Sequence, residues 1–108
     1  MIHVLIDDDH AVVQTGLDEL LAGAGDVRVV AVARSGEEAI RLADETEPDV
    51  VLVDLSRPGA DGVAATRTIR ERHPGTQVVA LTSSADRERI LAAIEVGALD
   101  DLLAELAP

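Results

Sequence analysis

The sequence predicts an α/β fold, a doubly wound parallel sheet of strand order 2-1-3-4-5, and three observations carry that reading. Residues 2–6, 27–32, 50–53 and 77–81 form short, β-branched and almost continuously apolar runs. Strands covered on both faces have that pattern. Helical periodicities separate the runs, and such alternation implies parallel strands joined by right-handed crossovers. Acidic residues follow the first and third runs, Asp8 and Asp9 after one and Asp54 after the other. Order 2-1-3-4-5 puts the switch of strand direction between those two strands, where open α/β sheets place their sites.

The helical segments have recognisable starts and stops. After the first strand, Val13, Leu17, Leu20 and Leu21 share one face, with Asp9 as N-cap and Gly23 and Gly25 as terminators. The next segment opens on a capping box, Ser35-Gly36-Glu37-Glu38, and runs to about Thr46, before Pro48. A further segment spans roughly Asp61 to His73 and stops at Pro74-Gly75. The last begins near Ala85, carries Ile90, Leu91 and Ile94 inward, and ends at Gly97. Beyond it the pattern conflicts. Leu99, Leu102, Leu103 and Leu106 recur at i, i+3, i+4 and i+7, a helical face. As a strand, the same stretch puts Leu99, Asp101, Leu103 and Glu105 on one side. Against the helix stands a short strand near 101–104, the expected reading.

A length of 108 residues fits one domain, and 47% hydrophobic residues fit a globular one. No apolar run approaches the roughly 20 residues of a membrane span. The start, Met1-Ile2-His3-Val4, lacks the regions of a signal peptide. With no cysteine there is neither a disulfide framework nor a thiolate metal site. A cytoplasmic protein is expected. The net charge of −12 argues against direct nucleic-acid binding, and the absence of aromatic residues excludes base-stacking platforms. His3, His10 and His73 lack metal-ligand spacing.

Asp8, Asp9 and Asp54 therefore converge, with Thr82 following the fourth run at the same sheet edge. An acidic turn is ordinarily solvated surface, and a strand-end threonine is ordinarily a β-branched packing residue. Together, carboxylates and a hydroxyl suit a hard oxygen-seeking cation and a carboxylate nucleophile.

Three segments in order, Asp8-Asp9-His10-Ala11-Val12-Val13, the run from Val51 through Asp54, Pro58 and Gly59 to Gly62, and Val79-Ala80-Leu81-Thr82-Ser83, resemble the receiver domain of bacterial two-component response regulators. The likeness covers about residues 1–98 and is nearest the NarL/FixJ-type group, whose output is usually a DNA-binding helix-turn-helix. It implies a flavodoxin-like receiver fold in which Asp54 accepts a phosphoryl group from a histidine kinase. Asp8 and Asp9, with Asp54 and the Ser56 backbone carbonyl, would hold Mg²⁺, and Thr82 would donate its hydroxyl to a phosphoryl oxygen. Pro58-Gly59 would shape the loop and Gly62 open the following helix. The downstream partner would be an output domain or another protein in transcription regulation, with a homodimer as an option. The role is not that of an enzyme acting on an external substrate.

The chain departs from that pattern at several places. The family lysine aligns with Ala104, and the chain contains no lysine. The family switch aromatic aligns with Asp101. Arg57 stands three residues after Asp54 as a substitute cation, or as an ordinary loop residue. Asp7 occupies a position the family usually makes apolar; it either joins the site or marks an early strand end. The family's fifth helix is expected to be absent, making residues 1–108 a C-terminally short receiver. One sheet face would then lose part of its cover. Two other functions compete. A phosphorylation-independent pseudo-receiver, controlled by a ligand or a protein, suits the missing lysine and aromatic. A small carboxylate-dependent phosphatase would want a second acid where Ser56 stands, and a basic phosphate ligand.

Overall fold

The computed structural model describes residues 1–8, 27–55, 61–81, 85, 88, 89 and 92. Within them the sheet is parallel, with β1 (Ile2–Asp7), β2 (Val27–Ala33), β3 (Val50–Asp54) and β4 (Gln77–Leu81) in the order β2-β1-β3-β4. This is the predicted order through the fourth strand. The expected fifth strand, the helix after β1 and the Leu99–Leu106 periodicity lie outside the described residues.

The two sheet faces follow from strand alternation. Leu5, Val51, Val53 and Val78 pack with Ala33 against Ala39 and Ala43 of helix α1 (Gly36–Thr46) and Ile69 of helix α2 (Asp61–Arg72). On the opposite face Val4, Ile6, Leu52, Val79 and Leu81 are also buried. Both faces are thus covered, as continuous apolar strands require. Each large aliphatic buried this way contributes about 1.5–3 kcal/mol, so a core without aromatics remains sufficient. The edge strand β2 is the exception, since most of its residues are only half-buried. Its register skips Val30, because Val4 pairs with Val29 and Leu5 with Ala31. That bulge sets Ala33 opposite Asp7.

Asp49 aligns the starting ends of the strands. Its carboxylate accepts the His3 N–H at 2.8 Å and its own N–H donates to the His3 carbonyl at 2.9 Å. Its carbonyl accepts the Gln77 N–H at 2.9 Å. Three strands therefore begin from one anchor and finish at matched heights.

Helix α1 begins as its capping box predicts: the Glu38 N–H donates to Ser35 Oγ at 3.1 Å. Such a cap contributes about 1 kcal/mol. Its end at Thr46 is the one the sequence predicts. Glu47 adopts a left-handed conformation (φ 45°) and its N–H donates to the Ala43 carbonyl, closing the helix one residue before Pro48. At its far end, α2 is tied to α1 through Asp44, whose two oxygens meet Arg72 Nη1 at 2.6 Å and His73 Nε2 at 2.8 Å. Ala85, Glu88, Arg89 and Ala92 are helical and exposed. Their spacing, i, i+3, i+4 and i+7, is that of one helical face; Ile90, Leu91 and Ile94, predicted to face inward, lie outside the described residues.

Candidate functional site

The site lies where β1 and β3 end side by side. Asp7 pairs with Val53 across the β1–β3 ladder. One residue further along each chain stand Asp8 and Asp54. The Asp8 N–H donates to the Ala33 carbonyl at 3.2 Å, so Asp8 is still held against β2. Asp54 is the last residue of β3, opposite Leu81, and Leu55 donates its N–H to the Leu81 carbonyl at 2.8 Å. Asp54 therefore sits within the sheet rather than in the loop beyond it.

Gly62 makes room for this edge. A Cβ at that position would stand 2.8 Å from Leu55 Cδ2, 3.1 Å from the Asp54 carbonyl oxygen and 3.3 Å from Val53 Cγ1. The first turn of α2 approaches the Asp54 backbone because glycine has no side chain there. The Thr66 hydroxyl donates to the Gly62 carbonyl at 2.7 Å.

Burial sets the electrostatics. Asp7, Asp8 and Asp54 each have zero solvent exposure. Carboxylates withdrawn from water are costly unless countercharge and hydrogen bonds replace the solvent. Carboxylate oxygens are also the donors a hard divalent cation takes, so these residues fit Mg²⁺ in chemistry. Among the described residues no three acidic, histidine or cysteine side chains are arranged to hold a metal ion. Strand alternation is consistent with this: Asp7 shares the face of Leu5 and Val53, whereas Asp54 belongs to the other. The described part of the site thus supplies Asp8 and Asp54. Asp9, Ser56 and Thr82, the other residues assigned to the site from sequence, lie outside the described residues, as do Arg57, Asp101 and Ala104. Asp7 does not end β1 early; the strand includes it.

A separate cleft of about 480 Å³ runs along α2, between Leu55 and Ala80 of the sheet side and Val63, Thr66, Arg67 and Arg70 of the helix. None of the buried carboxylates lines it. Sequence reasoning did not anticipate the Asp44–Arg72–His73 cluster, because its members lie 28 and 29 residues apart and meet only when the two helices pack.

Comparison with known proteins agrees with the geometry. The family described as the response regulator receiver domain matches residues 4–106. The chain belongs to that family and is a receiver domain of the two-component type. It is 42% identical over 103 residues to the transcriptional regulatory protein LiaR of Bacillus subtilis, covering 95% of this chain and 49% of LiaR. It is 34% identical over 105 residues to the nitrate/nitrite response regulator NarL of Escherichia coli, covering 97% of this chain and 49% of NarL. The chain spans about half the length of these curated relatives. Among solved structures, a LuxR-family response regulator from Aurantimonas superposes with a TM-score of 0.72 at 29% identity, covering 99% of this chain and 88% of that one. The receiver domain of NarL from Mycobacterium tuberculosis gives 0.68 at 26% identity, covering 93% and 94%. Among the described residues no helix is long and apolar enough to cross a membrane.

Proposed function

We propose that residues 1–108 act as a receiver that takes a phosphoryl group onto Asp54 and relays the event to an output domain or partner protein in transcription regulation. The observation that carries this is Asp54 itself, closing β3 at zero exposure and level with Asp8 across the β1–β3 ladder. An Asp54 oxygen attacks the phosphorus of a kinase phosphohistidine. An O–P bond forms, the P–N bond breaks, and the imidazole leaves with a proton. Asp8 and Asp9, with Asp54 and the Ser56 carbonyl, would hold Mg²⁺, which supplies charge neutralisation for the transfer. Thr82 donates its hydroxyl to a phosphoryl oxygen. The domain acts in the cytoplasm, alone or as a homodimer, turns over no external substrate and leaves DNA contact to a partner.

A second reading, a phosphorylation-independent interaction module, is favoured by the missing lysine, which would contact the phosphoryl group, and the missing aromatic. The two separate on mass measurement after incubation with Mg²⁺ and a small phosphodonor. The first expects an increase of one phosphoryl group that disappears in Asp54→Asn and on chelation. An unchanged mass favours the second, and donor turnover without an adduct points to phosphatase chemistry.

A further inference from the structure

The cleft along α2 takes no part in the proposed phosphoryl transfer. It opens where the sheet is left uncovered. Strand β4 buries Val79 and Leu81 but leaves Ala80 between them exposed. On the helix side Val63 is 52% exposed, and Leu55 is half-buried against the same space. Thr66 also borders the cleft, but its hydroxyl donates to the Gly62 carbonyl at 2.7 Å. The wall beside the sheet is therefore mostly apolar.

Two cations stand next to this apolar surface. Val63, Arg67 and Arg70 recur at i, i+4 and i+7, one face of α2, and both arginines are exposed. Among the described residues neither arginine is held in an ion pair. Arg70 lies in the last helical turn, where it complements the helix dipole. Arg67 has no such role. Glu71 offsets one of the two charges, so the lining keeps a positive balance in a chain of net charge −12. A volume of about 480 Å³ is that of a small-molecule pocket, for which an apolar wall and a few placed polar groups are usual. We propose that the cleft binds a small amphiphilic anion, an aliphatic or aromatic carboxylate or sulfonate. Its apolar part lies on Leu55, Val63 and Ala80, and its charge meets Arg67 and Arg70. Binding there requires neither Mg²⁺ nor phosphorylation of Asp54.

A chain without aromatic residues has no fluorescence of its own to mask a probe. The test titrates anilinonaphthalene sulfonate into the parent, into Arg67→Gln combined with Arg70→Gln, and into Val63→Gln. All three side chains are exposed, so the variants should keep the fold, which thermal melts check. The parent should bind one probe per chain, saturably. The double variant should bind about tenfold more weakly, because two exposed charge contacts are lost, and Val63→Gln should also bind more weakly. Octanoate should displace the probe and shift the methyl NMR signals of Leu55, Val63 and Ala80, whereas octylamine at equal concentration should not. If the double variant fails to fold, Arg67→Gln alone carries the expectation. Absence of saturable binding, or equal affinity in the parent and every folded variant, would overturn the proposal. Displacement by octylamine as effective as by octanoate would also overturn it, since the surface would then recognise apolar matter without regard to charge. A dimer in sedimentation that Val63→Gln dissolves would assign the cleft to a second copy of the chain and overturn it as well.

Discussion

Asp54 and Gly62 depend on each other. The carboxylate is placed by the strand, and the carbonyl of the same residue lies where a Cβ on Gly62 would press at 3.1 Å. Alanine in a helix interior is ordinarily favoured over glycine by about 1 kcal/mol. Overpacking against a buried Val53 and a backbone carbonyl costs about 1–3 kcal/mol. The second effect should win, because the Leu55 side chain can move aside but the Asp54 backbone is fixed by its ladder to β4. Gly62→Ala is therefore expected to lose about 1 kcal/mol, read as a lower urea midpoint at unchanged slope. A gain would show that the end of β3 yields to the helix.

The pairing of α1 with α2 shows how elements add what single residues lack. Asp44 takes contacts from both Arg72 and His73 across the helix ends. The His73 hydrogen bond, with smaller contributions from the Arg72 charge and hydrogen bond, holds the Asp44 carboxyl below its ordinary 3.8, against an opposing effect of burial. A lowered folded-state value means the unfolded chain binds the proton more readily. The stabilisation is then present above 3.8 and is lost as the pH falls through the lower folded value. Asp44→Asn should be less stable than the parent at neutral pH, and the gap should close as acid protonates Asp44 in the parent. Melts across that range provide the check; a gap constant with pH would mean that the charge is not what joins the helices. The end of α1 carries a different cost. A left-handed non-glycine residue such as Glu47 bears about 1–2 kcal/mol of strain, accepted here where the chain turns directly toward Pro48 and the Asp49 anchor.

At the scale of the whole domain, the proposed phosphorylation has to act with neither the family lysine nor the family aromatic at its aligned positions. A phosphoryl group biases a conformational equilibrium only through contacts that differ between the two states. With Ala104 and Asp101 at the positions aligned to the family lysine and aromatic, Thr82 is the one phosphoryl contact that the proposed function retains from the family resemblance. A hydrogen bond to a charged group contributes about 1.5–3 kcal/mol, whereas moving an equilibrium from 1:99 to 99:1 takes about 5.5 kcal/mol. Beryllium fluoride, as a phosphoryl mimic, should therefore shift the amide NMR signals around Thr82 only part of the way. Ala104→Lys combined with Asp101→Tyr should enlarge the response. A complete shift in the parent, unchanged by the double substitution, would place the coupling in other residues.

Much of this was legible in the chain. Four apolar runs gave their strands to within one residue at each end, because strands covered on both faces leave an unmistakable pattern. Ser35 with Glu38 announced the start of α1, since capping is local chemistry. Asp8 and Asp54 could be brought to one edge on paper because parallel strands share a direction. Other features needed the packed molecule. Asp7 read equally well as a strand end or a site residue, and only the β1–β3 register put it within the strand, on the opposite face from Asp54. The Asp44–Arg72–His73 cluster and the clearance around Gly62 join segments distant in sequence. Local pattern reports which face of an element is apolar; which groups meet across elements is decided when those faces are buried against each other.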